Sequence, residues 1–196
     1  MIEYKETKLI KSLMLAKYKY LLTYRYSEII HDLTVKFCQE YLAGFDYRRT
    51  REQMSQAARS GKQNIIEGVG QSRTSKKGEL KLLGVAKASL EELLADYEDF
   101  LRQRKLEIWT KIDSRITHFR KLAFRLTSLS NLGDLGNLKE RPTLPNSPTE
   151  AANFLLTLCH QATYLLDRQI GKMEEKFIQD GGYSENLLKR RLNQRL

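Results

Sequence analysis

The chain has 196 residues, 41% hydrophobic and 30% charged, which is enough for one substantial core. Its 34 lysines and arginines outnumber 24 acids, a formal net charge of +10 that bears on partners rather than on fold. No stretch approaches the roughly 18 uninterrupted apolar residues of a membrane span, and residues 1–20 lack a signal peptide's apolar centre and cleavage site. The two cysteines, Cys38 and Cys159, argue against a disulfide framework and for a reducing cytoplasm.

In chain order, a segment from about Lys8 leads into a helix whose apolar face is Tyr26, Ile29/Ile30, Leu33, Phe37 and Tyr41. Gly44 ends it, and a second helix is predicted over residues 46–69, stopped by Gly68 and Gly70. At about 100° per residue, Gln53, Ala57, Ser60, Asn64 and Gly68 share one stripe of that helix, beside Met54, Ala58, Gly61 and Ile65. These small side chains predict close backbone packing. Arg48, Arg51, Arg59 and Lys62 fall within roughly an 80° arc on the far side. A third helix starts at the N-cap Ser75 and runs to about Arg104, with Leu83, Ala86, Leu90, Leu93/Leu94, Tyr97 and Leu101 inward.

Residues 107–130 read as one more amphipathic helix, with Ile108, Ile112, Ile116, Phe119, Ala123 and Leu126 on its apolar face. All three prolines fall in the loop-like stretch that follows. Ser147-Pro148-Thr149-Glu150 reads as a capping box opening a helix over residues 148–178, with Phe154, Leu155, Leu158, Ala162, Leu165 and Ile170 as core. Gly181 and Gly182 break that helix, and the tail can form a short basic helix. The expected fold is all-α, with four principal helices over residues 1–182, an inserted helix and loop at about 107–147, and a basic C-terminal suffix at 183–196.

The residues give catalysis no support. His31, His118 and His160 lack a His or Cys partner at ligand spacing, so neither a metal nor a cofactor is expected. Cys38 and Cys159 read as small core residues. Glu91, Glu92, Asp96, Glu98 and Asp99 form an acidic cluster that lacks the Glu-x-x-His pairs of a di-iron site, and reads as a solvated face or a partner for the basic arc. Phosphate-loop and dinucleotide signatures are missing as well.

Charge is patchy. Residues 44–78 carry eight bases and three acids, and the last fourteen residues carry a net +3. Arg48, Arg51, Arg59 and Lys62, with Arg73, Lys76 and Lys77 beyond the helix end and Lys189, Arg190 and Arg191 in the tail, are the candidate nucleic-acid-binding residues. Such cations neutralise phosphates and release counterions, so binding is expected to be salt-sensitive and to read backbone rather than bases. The bland alternative is a solvated basic surface.

The pattern Gln53-x3-Ala57-Ala58-x-Ser60-x3-Asn64-Ile65-x-Glu67-Gly68 resembles the bacterial four-helix bundle protein family, and Ala86-x2-Ser89-x2-Glu92-Leu93 fits its third helix. That family includes proteins encoded in intervening sequences of large-subunit ribosomal RNA genes and the accessory variability determinant of diversity-generating retroelements. The ending FIQDGGYSENLLKRR is similar to a suffix carried by one subgroup. The resemblance implies an antiparallel four-helix bundle, a homo-oligomeric ring of five with a basic surface, and, in the retroelement branch, an adaptor for a reverse transcriptase and its template RNA. It makes Gln53, Ala57, Ser60, Asn64, Glu67 and Gly68 the structural motif. The insertion and Ile66, where alanine is usual, depart from the family pattern.

The expected function is therefore a non-enzymatic, oligomeric bundle that binds RNA or DNA, as an accessory of a reverse transcriptase or of ribosomal RNA. The alternative is a protein–protein scaffold whose basic patches meet an acidic partner without nucleic acid.

Overall fold

The computed structural model describes residues 16–72, 74–133, 136–181 and 183–194, without the side chains of Asp180, Tyr183, Ser184 and Lys189. The described residues form six α-helices and no strand: α1 (Leu22–Tyr41), α2 (Arg48–Gln71), α3 (Lys76–Gln103), α4 (Ser114–Leu126), α5 (Pro148–Asp180) and α6 (Tyr183–Asn193). Short 3-10 turns occupy Lys17–Tyr20 and Leu129–Asn131. The N-terminal segment predicted from Lys8 lies outside the described residues up to Leu15.

Helix α2 packs on α1 and α3, and α5 packs on α3 and α1. Opposed pairs mark the register. On the α2–α3 seam Ser60 Oγ meets Ser89 Oγ at 2.9 Å, while nearer its other end Gly68 lies 3.5 Å, through a would-be Cβ, from Glu79 O. On the α1–α5 seam Thr23 Oγ1 donates to Gln169 Oε1 at 2.9 Å, and at the other end of α1 Tyr41 OH donates to Pro145 O, just before α5, at 3.0 Å. The core collects Ile30, Leu33 and Phe37 of α1, Leu83, Leu90 and Leu93 of α3, and Phe154, Leu155 and Leu158 of α5, as helical spacing predicts. Leu166 joins them, whereas Leu165 and Ile170 are only half-buried. Thr34, caught in this core, is satisfied: its Oγ1 donates to Ile30 O and accepts from Tyr97 OH at 2.8 Å.

The small-residue face of α2 is real, with two corrections. Gly68 and Gly70 do not stop the helix, which continues to Gln71. The stop comes from Ser72, whose Oγ donates to Val69 O, while Thr74 N and Ser75 N both reach Gln71 O. Gly68 instead sits buried inside the helix, where its bare Cα lets α3 approach. Gln53, placed with the buried stripe by spacing, is exposed, because Met54, Ala57, Ala58, Gly61 and Ile65 take the inward positions. Asn64 is half-buried and spends its amide on Ser60, donating to Ser60 O at 2.9 Å and Ser60 Oγ at 3.1 Å.

Ser75 caps α3 as predicted, its Oγ accepting from Gly78 N at 2.9 Å. Ser147 is the N-cap of α5, but its side chain makes no capping bond. The predicted box is therefore not closed, and Pro148, lacking an N–H, leaves one fewer unpaired donor at the helix start.

The insertion differs most from its prediction. Only Ser114–Leu126 is helical, started by Asp113, whose carboxylate accepts from Arg115 N at 2.8 Å. Residues 107–113 run alongside α5 instead, held by buried Asn153: its Oδ1 accepts from Trp109 N at 2.8 Å and its Nδ2 donates to Glu107 O at 2.9 Å. Ile108 and Ile112, assigned to an apolar face, are 47% and 85% exposed. Backbone bonding to Asn153 outweighs the helical period there. The far end is tied to α1, where buried Arg25 donates to Thr127 O at 2.6 Å and Arg141 pairs with Asp32 and Glu28.

Candidate nucleic-acid interface

Gly181, at φ 73°, ends α5 in a backbone conformation that favours glycine, and α6 follows after residue 182. α6 thereby meets the α2–α3 turn. A cavity of about 420 Å³ lies there, lined by Ser72, Lys76, Leu80, Met173, Lys176, Phe177, Gly181, Asn186, Leu187 and Arg190. Two of the predicted basic residues, Lys76 and Arg190, are 114 positions apart in the chain, yet they border one space. Lys176 joins them and was not predicted, because it lies in a segment of net negative charge and only the turn at Gly181 brings it to Arg190. Lys76 Nζ is 3.1 Å from Glu79 Oε2, whereas among the described residues Lys176 and Arg190 meet no carboxylate. The first turn of α3 adds its positive dipole end to the same place. Lys77 and Arg191 are exposed nearby in sequence. Arg73 and the Lys189 side chain lie outside the described residues.

The remaining predicted cations do not join this cluster. Arg48 begins α2, 23 residues and hence about 35 Å of helix from Gln71. It pairs with Glu52 at 3.0 Å. Arg51 is no free surface cation, since its guanidinium donates to Leu42 O and, at 2.7 Å, to Gly44 O, capping carbonyls left over at the end of α1. Lys62 is half-buried with Nζ 3.1 Å from His31 Nδ1, because α1 packs on that side of α2. Arg59 alone of the arc is exposed without a partner among the described residues. At the Arg48 end, Arg104 lies over the Phe100 ring at 4.1 Å and the Tyr47 ring at 5.1 Å, a cation–π seat that spacing did not reveal.

The acidic cluster divides. Glu91 reaches Lys87 at 3.7 Å and Asp99 reaches Arg102 at 2.6 Å, both at the surface. Asp96 does not belong to a solvated face: its Oδ2 is buried without a partner among the described residues, and its carboxyl is pushed up to about 6, first by burial and then by Glu92 and Asp99. Folding thus favours protonated Asp96. The penalty is absent below the unfolded pKa of about 3.9 and complete above the folded value. Asp96→Asn is expected to stabilise the protein at pH 8 by about 1 kcal/mol, a figure reduced for solvent screening, and by nothing at pH 3.5. Urea titrations at the two pH values check this; a gain equal at both would refute it.

Cys38 and Cys159 are buried and free, and burial pushes the Cys38 thiol up to about 11. Such thiols are poor nucleophiles. Among the described residues no three His, Cys, Asp or Glu side chains are grouped to hold a metal, and no helix is long and apolar enough to cross a membrane. Comparison with protein-family models, curated proteins and solved structures finds no match to the chain.

Proposed function

We propose that the chain is a non-enzymatic, homo-oligomeric protein in which α1, α2, α3 and α5 make an antiparallel four-helix bundle, and that its basic end binds the backbone of RNA or DNA. The observation that carries the reading is the meeting of Lys76, Lys176 and Arg190, from three helices, around one cavity at the N-terminus of α3. Cations fixed by separate rigid elements lose little entropy when phosphates dock, and a helix N-terminus adds preference for anions. The opposed contacts along the α2–α3 and α1–α5 seams support the bundle. Resemblance to the family supports a ring of five and a reverse transcriptase or ribosomal RNA as the setting.

Filter binding of single-stranded RNA and DNA to the full chain across a salt series tests the reading. Log affinity is expected to fall linearly with log salt, by about 0.7 for each phosphate neutralised on a single strand. Affinity indifferent to salt, or none at low salt, would overturn it. Copurification of an acidic protein that survives nuclease treatment would favour the scaffold instead.

A further inference from the structure

The cations of the basic end do not stand on a polar surface. On α3, Leu80 lies one turn from Lys76, and on α5 Met173 and Phe177 flank Lys176 at helical spacing, so each cation shares a face with apolar neighbours. On α6, Leu187 and Arg190 repeat the arrangement. All of these border the cavity of about 420 Å³. Leu80, Met173 and Phe177 are half-buried and Leu187 is 42% exposed, so apolar surface, including an aromatic ring, is left open to this space. Neutralising a phosphate backbone requires none of it.

An apolar floor under a cationic rim suits a strand that can offer a base as well as its phosphates. A duplex keeps its bases paired and stacked inside, and presents phosphates on a convex outer surface. Its bases could reach a recessed Phe177 only after leaving their stack. A single strand has no such obstacle, and stacking on an aromatic ring is tolerant of base identity. The volume falls within the range of about 300–1,000 Å³ for small-molecule pockets, ample for one base. We infer that the basic end takes single-stranded nucleic acid in preference to duplex, with one unpaired base against Phe177 and the adjoining phosphates on Lys76, Lys176 and Arg190. The inference rests on the nucleic-acid reading above and adds the form of the strand to it.

Three labelled probes of equal length test it by fluorescence anisotropy with the full-length protein: a mixed-sequence RNA strand without self-pairing, the same strand annealed to its complement, and a base-free ribose-phosphate strand. Electrostatics alone would favour the duplex, whose phosphates are denser. The single strand is nevertheless expected to bind about tenfold more tightly than either of the others, the effect of one stacked base. Phe177→Ala should lower single-strand affinity about tenfold while leaving the duplex, the base-free strand and the salt slope unchanged. Phe177→Leu, which keeps an apolar side chain where Phe177→Ala fails to fold, should show a smaller loss confined to the single strand. Duplex or base-free strand binding as tightly as the single strand would overturn the inference, as would a Phe177 variant that weakens all three alike. Salt-sensitive but equal binding of the three leaves the polymer reading standing, whereas no binding of any of them overturns both.

Discussion

Replacing Lys76, Lys176 and Arg190 together by glutamine is expected to lower affinity for single-stranded RNA about 100-fold near 0.1 M salt, and to flatten the log–log salt slope by about 2. The three side chains border one cavity, so they engage neighbouring phosphates of the same strand rather than three unrelated sites. The fall should be alike for all base sequences, because phosphate contacts position a strand without reading it. The matching substitution of Arg48, Arg51 and Lys62 by glutamine should change affinity far less. Arg51 is occupied with the carbonyls of Leu42 and Gly44, and Lys62 with His31, so neither presents a free cation. Filter binding across salt separates the outcomes. If the Arg48 set matters more than the Lys76 set, the interface has been assigned to the wrong end of the molecule. Because Arg51 also caps α1, circular dichroism of that variant accompanies the binding curve.

Gly61→Val is expected to destabilise the fold by about 3 kcal/mol and to lower the melting temperature by about 10 °C. A Cβ at residue 61 would stand 2.8 Å from Leu90 Cδ2 and 2.9 Å from Leu90 Cγ, and Leu90 is fully buried. Neither helix can yield without opening the seam where α2 and α3 pack most extensively. Against a typical total of about 5–15 kcal/mol, that loss is large. Gly61→Ala should cost less, since the gain in helix propensity of about 1 kcal/mol offsets part of the clash. Gly70 supplies the control in the same helix: nothing lies within 4 Å of its would-be Cβ. Gly70→Ala should therefore stabilise, by up to about 1 kcal/mol. Thermal and urea unfolding of the three variants check the set. Equal effects at positions 61 and 70 would show that propensity, not close packing, explains the glycines.

Much of the helical framework was legible because its causes are local. Ser75 announces the start of α3, and its hydroxyl does cap Gly78 N. The spacing of Ile30, Leu33 and Phe37 marks the buried face of α1 without reference to any other helix. Periodicity misled where a distant group intervened. Ile108 and Ile112 keep a helical period, yet Asn153 takes the backbone of Trp109 and Glu107 and holds the segment out of a helix. Ser147 looks like a capping serine, but its side chain makes no such bond. In the basic arc, Arg51 and Lys62 turn out to be engaged with Leu42, Gly44 and His31, since a helical projection shows which side a cation leaves from and not what already stands there.

Composition and periodicity by themselves determined that this chain is helical, where α2, α3 and α5 begin, that one face of α2 is made of small residues, and that positive charge gathers in patches. Those properties follow from residues within a turn or two of one another. The tertiary structure alone decided that Gly68 continues a helix instead of ending it, because α3 presses against it, and that one carboxyl oxygen of Asp96 is buried while its neighbours Glu91, Glu92, Glu98 and Asp99 are exposed. It alone joined Lys76 to Lys176 and Arg190, and enclosed Gln161 with Trp109 beneath the insertion. The reason is physical: which groups share a cavity depends on how the chain turns at Gly181 and where residue 153 captures the insertion, contacts between segments far apart in sequence.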